Sequence, residues 1–402
     1  MTECSTMQDG LRCVAKRNLG DKKDIHTPKL ALTRLRLSNF RSYGEAELTV
    51  SAEPVVLAGP NGAGKTNLLE AVSLLSPGRG LRGARLSEHA RKGPAAPGNA
   101  LWAVAATVTR GAAEHDIGTG VMLASEGGAR RPEKRQVRLN GADAKSSADL
   151  GDIVQMIWLT PAMDRLFTEG ASGRRRFLDR LVLGFDAAHA RSATRYETAM
   201  RERARLLKFG PRDPAWLDGL ENEMAEAGLA IAKARAATVE RLSLALAERS
   251  GAFPAAALAV SDNIHDLSMD ALRGLLAGAR LRDAESGRTT EGPHLTDLLV
   301  RHTAKRAEAC DCSTGEQKAL LISIMLADAR ELSRQRDGIA PLLLLDEIAA
   351  HLDASRRAAL FEEIHALCAQ AWMTGTDLSL FESWGTRAQI FLVDNGRFQQ
   401  QA

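Results

Sequence analysis

Aromatic side chains are scarce in this 402-residue chain, at 4%. That argues against a surface built to stack many nucleobases. Cysteines are few and odd in number: Cys4, Cys13, Cys310, Cys312 and Cys368. Cys310-Asp311-Cys312 lacks a zinc spacing, and no second cysteine pair or histidine cluster accompanies it, so reduced thiols in a cytosolic protein are expected. No apolar run approaches the roughly 20 residues a membrane helix needs. Charges from Glu3 onward leave no apolar core for a signal peptide, and a cytoplasmic location is expected. The net charge of +3, from 53 Lys and Arg against 50 Asp and Glu, is too small to require an anionic partner. With 45% hydrophobic and 26% charged residues the composition is ordinary for a globular protein, which excludes wholesale disorder. The length suggests two or three domains, and there are no internal repeats.

Residues 1–29 are polar, mixed in charge and without apolar period; a disordered extension, or a start site placed too far upstream, is expected. From 30 to 168 the pattern is mostly strands. Alternation over 32–50 is strand-like. Val55-Val56-Leu57-Ala58 reads as a short buried strand, followed by a glycine-rich turn and a helix over 67–75. Further strands are expected at 100–109 and 117–123, a hairpin arm at 136–140 ending in Asn140-Gly141, and an apolar strand at 155–159 closing this lobe. From 169 to 289 the chain turns helical. One stretch runs over 174–207, interrupted near Gly184-Phe185-Asp186. After Lys208-Phe209-Gly210-Pro211 a second starts near Pro214, where proline is tolerated. The two read as an antiparallel hairpin, with heptads too irregular to require a supercoil. Strand-like pieces and a helix over 269–280 follow. The part from 290 to 402 holds helices at 318–334 and 355–370 and strands at 342–345 and 390–393.

The chemistry lies in three motifs. Gly59-Pro60-Asn61-Gly62-Ala63-Gly64-Lys65-Thr66 fits G-x-x-x-x-G-K-[ST] between a strand and a helix, the context that defines a P-loop. Its glycines let successive backbone N–H groups point at phosphate oxygens, and the helix N-terminus adds partial positive charge. Lys65 is placed to reach the β- and γ-phosphates of ATP, and the Thr66 hydroxyl to ligate Mg2+. Leu342-Leu343-Leu344-Leu345-Asp346-Glu347 delivers two carboxylates at a strand end: Asp346 for the Mg2+ shell, Glu347 as general base on the attacking water. Between them Ser313-Thr314-Gly315-Glu316-Gln317-Lys318 opens a helix, with Ser313 and Gly315 able to serve an anion. Ser313 and Glu316 also have the spacing of a capping box, and both readings can hold at once.

The order of P-loop, Ser-x-Gly helix start, Asp-Glu strand, His351-Leu352-Asp353 and Thr374-Gly375-Thr376 is similar to that of ATP-binding-cassette ATPases. In that family the Ser-x-Gly segment caps the γ-phosphate held by the opposite subunit, which implies an ATP-sandwich homodimer, with Asp353 and Thr376 at the nucleotide. Ser313 lies 247 positions after Thr66. Transporter cassettes have a much shorter gap, and a helical insertion splitting the cassette resembles the SMC-like branch. Ser38-Asn39-Phe40-Arg41-Ser42-Tyr43, the P-loop followed by Asn67-Leu68-Leu69-Glu70-Ala71, Gly173-Arg174-Arg175-Arg176-Phe177-Leu178-Asp179, and Gly292-Pro293-His294 with Asp297 resemble the RecF family of bacterial recombination mediators. The resemblance covers most of 30–396. It implies an α/β fold: an ABC/SMC-like head, with P-loop sheet and antiparallel β lobe, split by a helical-hairpin arm. It implies a weak ATPase that binds DNA near single-strand/double-strand junctions, with RecR and RecO as partners, RecA loading as the outcome, and a place in DNA repair and the SOS response.

The chain departs from the family pattern in three places. Gly80 stands where a serine is usual in Gly78-Arg79-Gly80-Leu81-Arg82. Pro161-Ala162-Met163-Asp164 replaces a Pro-Glu-Asp-Leu block, leaving Asp164 and Gln155 as polar candidates for a nucleotide-sensing loop. Thr376 takes the place of a switch histidine, so slow hydrolysis is expected. Arg41, after a strand end, is a candidate to approach the nucleotide. Arg174-Arg175-Arg176 and the basic loop 130–138 are candidate DNA contacts, weighed against paired or solvated faces. Charges in the arm are nearly balanced, so DNA binding is expected to depend on patches formed by the dimer. His294 is expected to be structural, and Thr289 and Thr290 turn residues. The competing reading is a generic SMC-like ATPase that regulates a protein target rather than DNA.

Overall fold

The computed structural model describes residues 29–401 apart from 93–99, 123–133, 211–212, 249–250 and 395. The expected extension over 1–28 and much of the basic loop 130–138 lie outside the described residues.

The alternation over 32–50 resolves into two strands, β1 (Leu30–Phe40) and β2 (Tyr43–Thr49). Asn39 and Arg41 at the tight turn between them have φ of 53° and 50°. β3 (Val55–Ala58) is buried along its whole length and runs into the P-loop and helix α1 (Lys65–Ser73). β4 (Ala100–Arg110), β5 (Ala113–Met122), β6 (Gln136–Leu139) and β7 (Ala142–Asp143) complete an antiparallel sheet in the order β2-β1-β4-β5-β6-β7. The Asn140-Gly141 turn sits where expected, both residues with positive φ as such a hairpin requires.

β8 (Met156–Leu159) corrects the expectation that it closes this lobe. It pairs in parallel with the strand Leu342–Leu345, Leu342 opposite Met156, at the edge of a second sheet. The run Met-Ile-Trp-Leu is apolar on successive positions rather than alternating, the pattern of a parallel strand covered on both faces.

Helices α2 (Ala171–Phe185), α3 (His189–Phe209) and α4 (Pro214–Ala247) form the expected arm. Pro214 occupies the first turn of α4, and the Asp213 carboxylate accepts from the Ala215 N–H. The outer part of the arm has its own core, including Tyr196, Leu206, Met224, Ile231 and Leu276. Its base is continuous with the head: Phe177, Leu181, Val239 and Leu242 share one apolar cluster with Leu320, Ile324 and Leu332. β9 (Ala256–Val260) follows, then α5 (Met269–Gly278) and α6 (Arg280–Ser286), which divide the expected single helix at Ala279. β9 pairs with β10 (Leu298–His302), which carries the short β11 (Ala307–Glu308).

α7 (Thr314–Gln335) is buried through most of its length. β12 (Leu342–Leu345), α8 (Ala354–Ala366), β13 (Ala371–Gly375), β14 (Gln389–Asp394) and β15 (Arg397–Gln400) end the chain. They build the core sheet β15-β14-β3-β13-β12-β8, parallel except for β15. β3 and β12 flank β13 in this sheet, one on either side. That places the P-loop and the Asp-Glu pair at the carboxyl ends of two strands separated by one, at the edge where open α/β sheets bind ligands. No helix among the described residues is long and apolar enough to cross a membrane.

Candidate active site

Backbone conformation shapes the cradle first. Gly59, Gly62 and Gly64 have φ of 154°, 83° and 108°. A side chain at Gly59 would sit 2.2 Å from the Val393 carbonyl oxygen, and one at Gly64 would sit 2.7 Å from the Tyr43 hydroxyl. Close packing as well as the positive φ at Gly64 therefore excludes other residues there. The Tyr43 hydroxyl donates to the Gly64 carbonyl at 3.0 Å, and its burial raises the phenol pKa. Lys65 Nζ donates to the carbonyls of Gly59 and Pro60 at 2.6 and 2.8 Å. Burial lowers the Lys65 pKa, and the carboxylates of Glu347 and Asp346 oppose the shift.

The structure brings Thr66 and Asp346 together. Thr66 Oγ1 donates to Asp346 Oδ1 at 2.9 Å, and Thr374 Oγ1 donates to the same oxygen at 2.8 Å. The Thr374 hydroxyl also accepts the Glu347 N–H at 2.9 Å. Glu347 has φ of 53°, a left-handed conformation uncommon in a non-glycine residue. One hydroxyl thus fixes both acidic residues. Thr66 and Asp346 are the kind of oxygen donors that Mg2+ takes beside phosphate, one hydroxyl and one carboxylate, and the residues fit that ion. No group of three or more His, Cys, Asp or Glu among the described residues could hold a metal without such a partner.

The other expected site residues fall in two groups. Asn61 and Gly62 are exposed at the crest of the P-loop, while Ala63 is buried beneath it. Thr376 is exposed just beyond β13, whose Gly375 carbonyl accepts the Gly59 N–H at 3.2 Å. Ser313 and Gly315 lie exposed at the N-terminal tip of α7. The capping box is present: the Ser313 N–H donates to Glu316 Oε2 at 3.0 Å. Lys305 pairs with Glu316 and, with that N–H, lowers the Glu316 carboxyl pKa to about 2. Asp353 caps α8, accepting from the Arg356 N–H at 2.8 Å.

Arg41 is held by Glu70: Nε and Nη2 donate to its two oxygens at 2.8 and 2.7 Å, and Nη1 donates to the Glu88 carbonyl at 2.6 Å. Arg82 Nη1 also reaches Glu70 Oε2 at 2.8 Å, and His89 Nδ1 lies 3.6 Å from Oε1. Burial lowers the His89 pKa. The Glu70 side chain is fully buried. Asn67 Nδ2 donates to Ser42 Oγ at 3.0 Å, so the β1–β2 turn is tied to α1 along one side of the cradle. Sequence reasoning did not assign roles to Glu70, Tyr43 or Thr374. Their signal was present in the blocks around 38–43 and 67–71 and in Thr374-Gly375-Thr376, but the partners come from other parts of the chain.

Of the sequence candidates for DNA contact, Arg174 and Arg175 are engaged within the protein, whereas Arg176 is exposed. Arg174 forms a bidentate pair with Asp297 at 2.8 and 2.7 Å, and Arg175 donates to the Thr296 carbonyl at 3.1 Å. Arg138 pairs with Asp143. Gly292-Pro293-His294 also has a structural part: Tyr196 Oη lies 2.8 Å from His294 Nδ1, and Arg235 donates to the Pro293 carbonyl at 2.6 Å. These contacts fasten the arm to the head. Of the sensing-loop candidates, Gln155 donates to the Gly151 carbonyl at 2.6 Å, and Asp164 accepts from Lys318 Nζ at 3.2 Å.

A parallel sheet carrying a P-loop and an Asp-Glu strand end, split by a helical arm, defines the class: an SMC-like ATPase head. The model for the RecF/RecN/SMC N terminal domain matches residues 31–399. The chain is 50% identical over 379 residues to the DNA replication and repair protein RecF of Agrobacterium fabrum, covering 92% of this chain and 98% of the relative. It is 51% identical over 378 residues to the RecF of Rhizobium rhizogenes, with the same coverage. The chain therefore belongs to the RecF family. Among solved structures, the recombination mediator protein RecF with ATPrS, from the RecFOR pathway, superposes with a TM-score of 0.78 at 22% identity, covering 94% of this chain and 99% of that one. The Smc head domain of Pyrococcus furiosus bound to the C-terminal domain of ScpA superposes with a TM-score of 0.51 at 16% identity, over 92% and 96% of the chains. At these identities the likeness concerns the fold.

Proposed function

We propose that this protein is a DNA replication and repair ATPase of the RecF type, a switch that closes as a homodimer on ATP. The observation that carries the reading is the Thr66–Asp346–Thr374–Glu347 chain of hydrogen bonds at the mouth of the P-loop. In this reading the N–H groups of 59–66 hold the phosphates, and Lys65 exchanges its carbonyl partners for phosphate oxygens. Thr66 and Asp346 would hold Mg2+, which when bound would supply charge neutralisation to the phosphates. Glu347 accepts a proton from the attacking water. Arg41 nears the nucleotide only by leaving Glu70, where Arg82 remains to neutralise the carboxylate. Ser313 and Gly315 face the triphosphate of the second copy, with Asp353 at the joint. Thr376 lacks a titrating ring, which supports slow turnover.

The head comprises 30–168 and 290–402 and the arm 169–289, although β9 and the arm base pack with the head. The closed dimer binds gapped or junction DNA in the cytoplasm, with RecR and RecO as partners and RecA loading as the outcome. The family relatives weigh against a protein-only target. The test is binding to gapped duplex DNA with and without ATP across a salt series. Wild-type protein binds in an ATP-dependent, steeply salt-dependent manner. Lys65→Ala loses nucleotide affinity about 100-fold or more and DNA binding with it; ATP affinity retained in that variant contradicts the P-loop role.

A further inference from the structure

The proposed function seats the triphosphate of one copy on the α7 tip of the other, and that tip carries an anion of its own. Glu316 Oε2 accepts the Ser313 N–H at 3.0 Å, and the Ser313 hydroxyl faces the same carboxylate. Lys305, then the N–H and hydroxyl of Ser313, hold the Glu316 carboxyl pKa down at about 2, so the group is charged at neutral pH. Glu316 thus takes from Ser313 the donors that a phosphate oxygen would take. It also sets a negative charge where a second one has to arrive.

Two tied pieces of backbone bring a cation to this carboxylate. Lys305 is exposed in the turn between β10 and β11, beside the pair of His302 with Ala307. The Arg306 N–H closes the turn on the Thr303 carbonyl at 3.3 Å, and the Thr303 N–H donates to the Ala255 carbonyl at 3.1 Å. On the other side Cys312 is buried, and its carbonyl accepts from Gln317 Nε2 at 2.9 Å. The Gln317 N–H donates to the Ser313 carbonyl at 2.8 Å. Lys305 Nζ pairs with Glu316 Oε1, the oxygen that the Ser313 N–H does not use. It is the one cation paired with Glu316 among the described residues. A carboxylate that leaves Ser313 therefore keeps a partner.

We propose that Glu316 is a removable plug on the phosphate-binding tip, and that Lys305 is the positioning residue that draws it aside. In the single copy the carboxylate bridges Ser313 and Lys305. When the triphosphate of the second copy arrives, it takes the Ser313 donors and the carboxylate turns wholly to Lys305. The ammonium then offsets the repulsion between that carboxylate and the phosphates. Lys305 touches no nucleotide and acts through Glu316. Glu316→Gln still closes the capping box, so the cap survives the loss of the charge. The charge, rather than the cap, is what Lys305 serves. The inference rests on the proposed function and adds which residues set the threshold for closing on ATP.

The test reads the midpoint concentration of dimer formation by light scattering, with saturating ATP and Mg2+. The parent chain carries Glu347→Gln, which keeps the nucleotide unhydrolysed. Lys305→Met, Lys305→Arg, Glu316→Gln and Lys305→Met/Glu316→Gln are compared on that background. Lys305→Met raises the midpoint about tenfold, whereas Lys305→Arg stays within about threefold of the parent. Glu316→Gln lowers the midpoint, and the double variant follows Glu316→Gln to within about threefold. The loss in Lys305→Met shrinks as salt rises, as an exposed pair requires. ATP affinity of the monomer, read with a fluorescent nucleotide analogue, is unchanged in each variant. A parental midpoint in Lys305→Met, or the same loss in the presence of Glu316→Gln, overturns the inference and leaves the function standing. A weaker dimer in Glu316→Gln does the same. A parent chain that stays monomeric with ATP overturns both. Should Lys305→Met melt early, Lys305→Gln replaces it, judged by the same outcomes.

Discussion

At the scale of single residues, Glu70 shows how one buried carboxylate organises a site it does not enter. It holds Arg41 and Arg82, residues 29 and 12 positions away, and both belong to segments flanking the cradle. A fully buried carboxylate is tolerated only because two guanidiniums satisfy it. Glu70→Gln removes the charge and leaves two arginines competing for one amide oxygen. The expected cost is about 3 kcal/mol in urea unfolding, with Glu70→Asp recovering part of it; a variant as stable as wild type contradicts this account. The glycines and Lys65 were legible in the sequence because their requirement is local: positive φ, close backbone approach and one long cation. Glu70 was not, because nothing in a helical Asn-Leu-Leu-Glu-Ala states which cations will arrive. Arg174 left two readings open for the same reason. A run of arginines reads as paired or as available charge until Asp297 is brought beside it.

At the scale of elements, helices and strands followed from apolar period, capping and proline placement, while the sheet to which a strand belongs did not. β8 was assigned to the wrong sheet because its length and apolarity suit either neighbour, and only the pairing of Leu342 with Met156 decides. That pairing has a mechanical consequence. The Asp346 N–H donates to the Leu159 carbonyl at 2.9 Å, so the end of β8 is fixed to the acidic strand. The loop after β8 then reaches α7 through Asp164 and the buried ammonium of Lys318. Asp164→Asn strands that ammonium, and a loss of roughly 2–3 kcal/mol is expected. Exchanging the charges, Asp164→Lys with Lys318→Asp, restores part of it. Urea titrations of the single and exchanged variants decide: no recovery, or no loss, means that the pair does not hold α7 to this loop.

At the scale of the whole molecule, two chemical surfaces are built. The P-loop, Asp346 and Glu347 converge at one end of the core sheet, whereas Ser313 and Gly315 stand exposed at the tip of α7. In the proposed function each surface completes the other only across two copies. The measurement that tests this most directly is the mass in solution of Glu347→Gln with ATP and Mg2+, by light scattering. The account predicts a lasting dimer, reversed when Ser313→Arg is added to the same chain. A monomer at every ATP concentration that saturates the P-loop would contradict it.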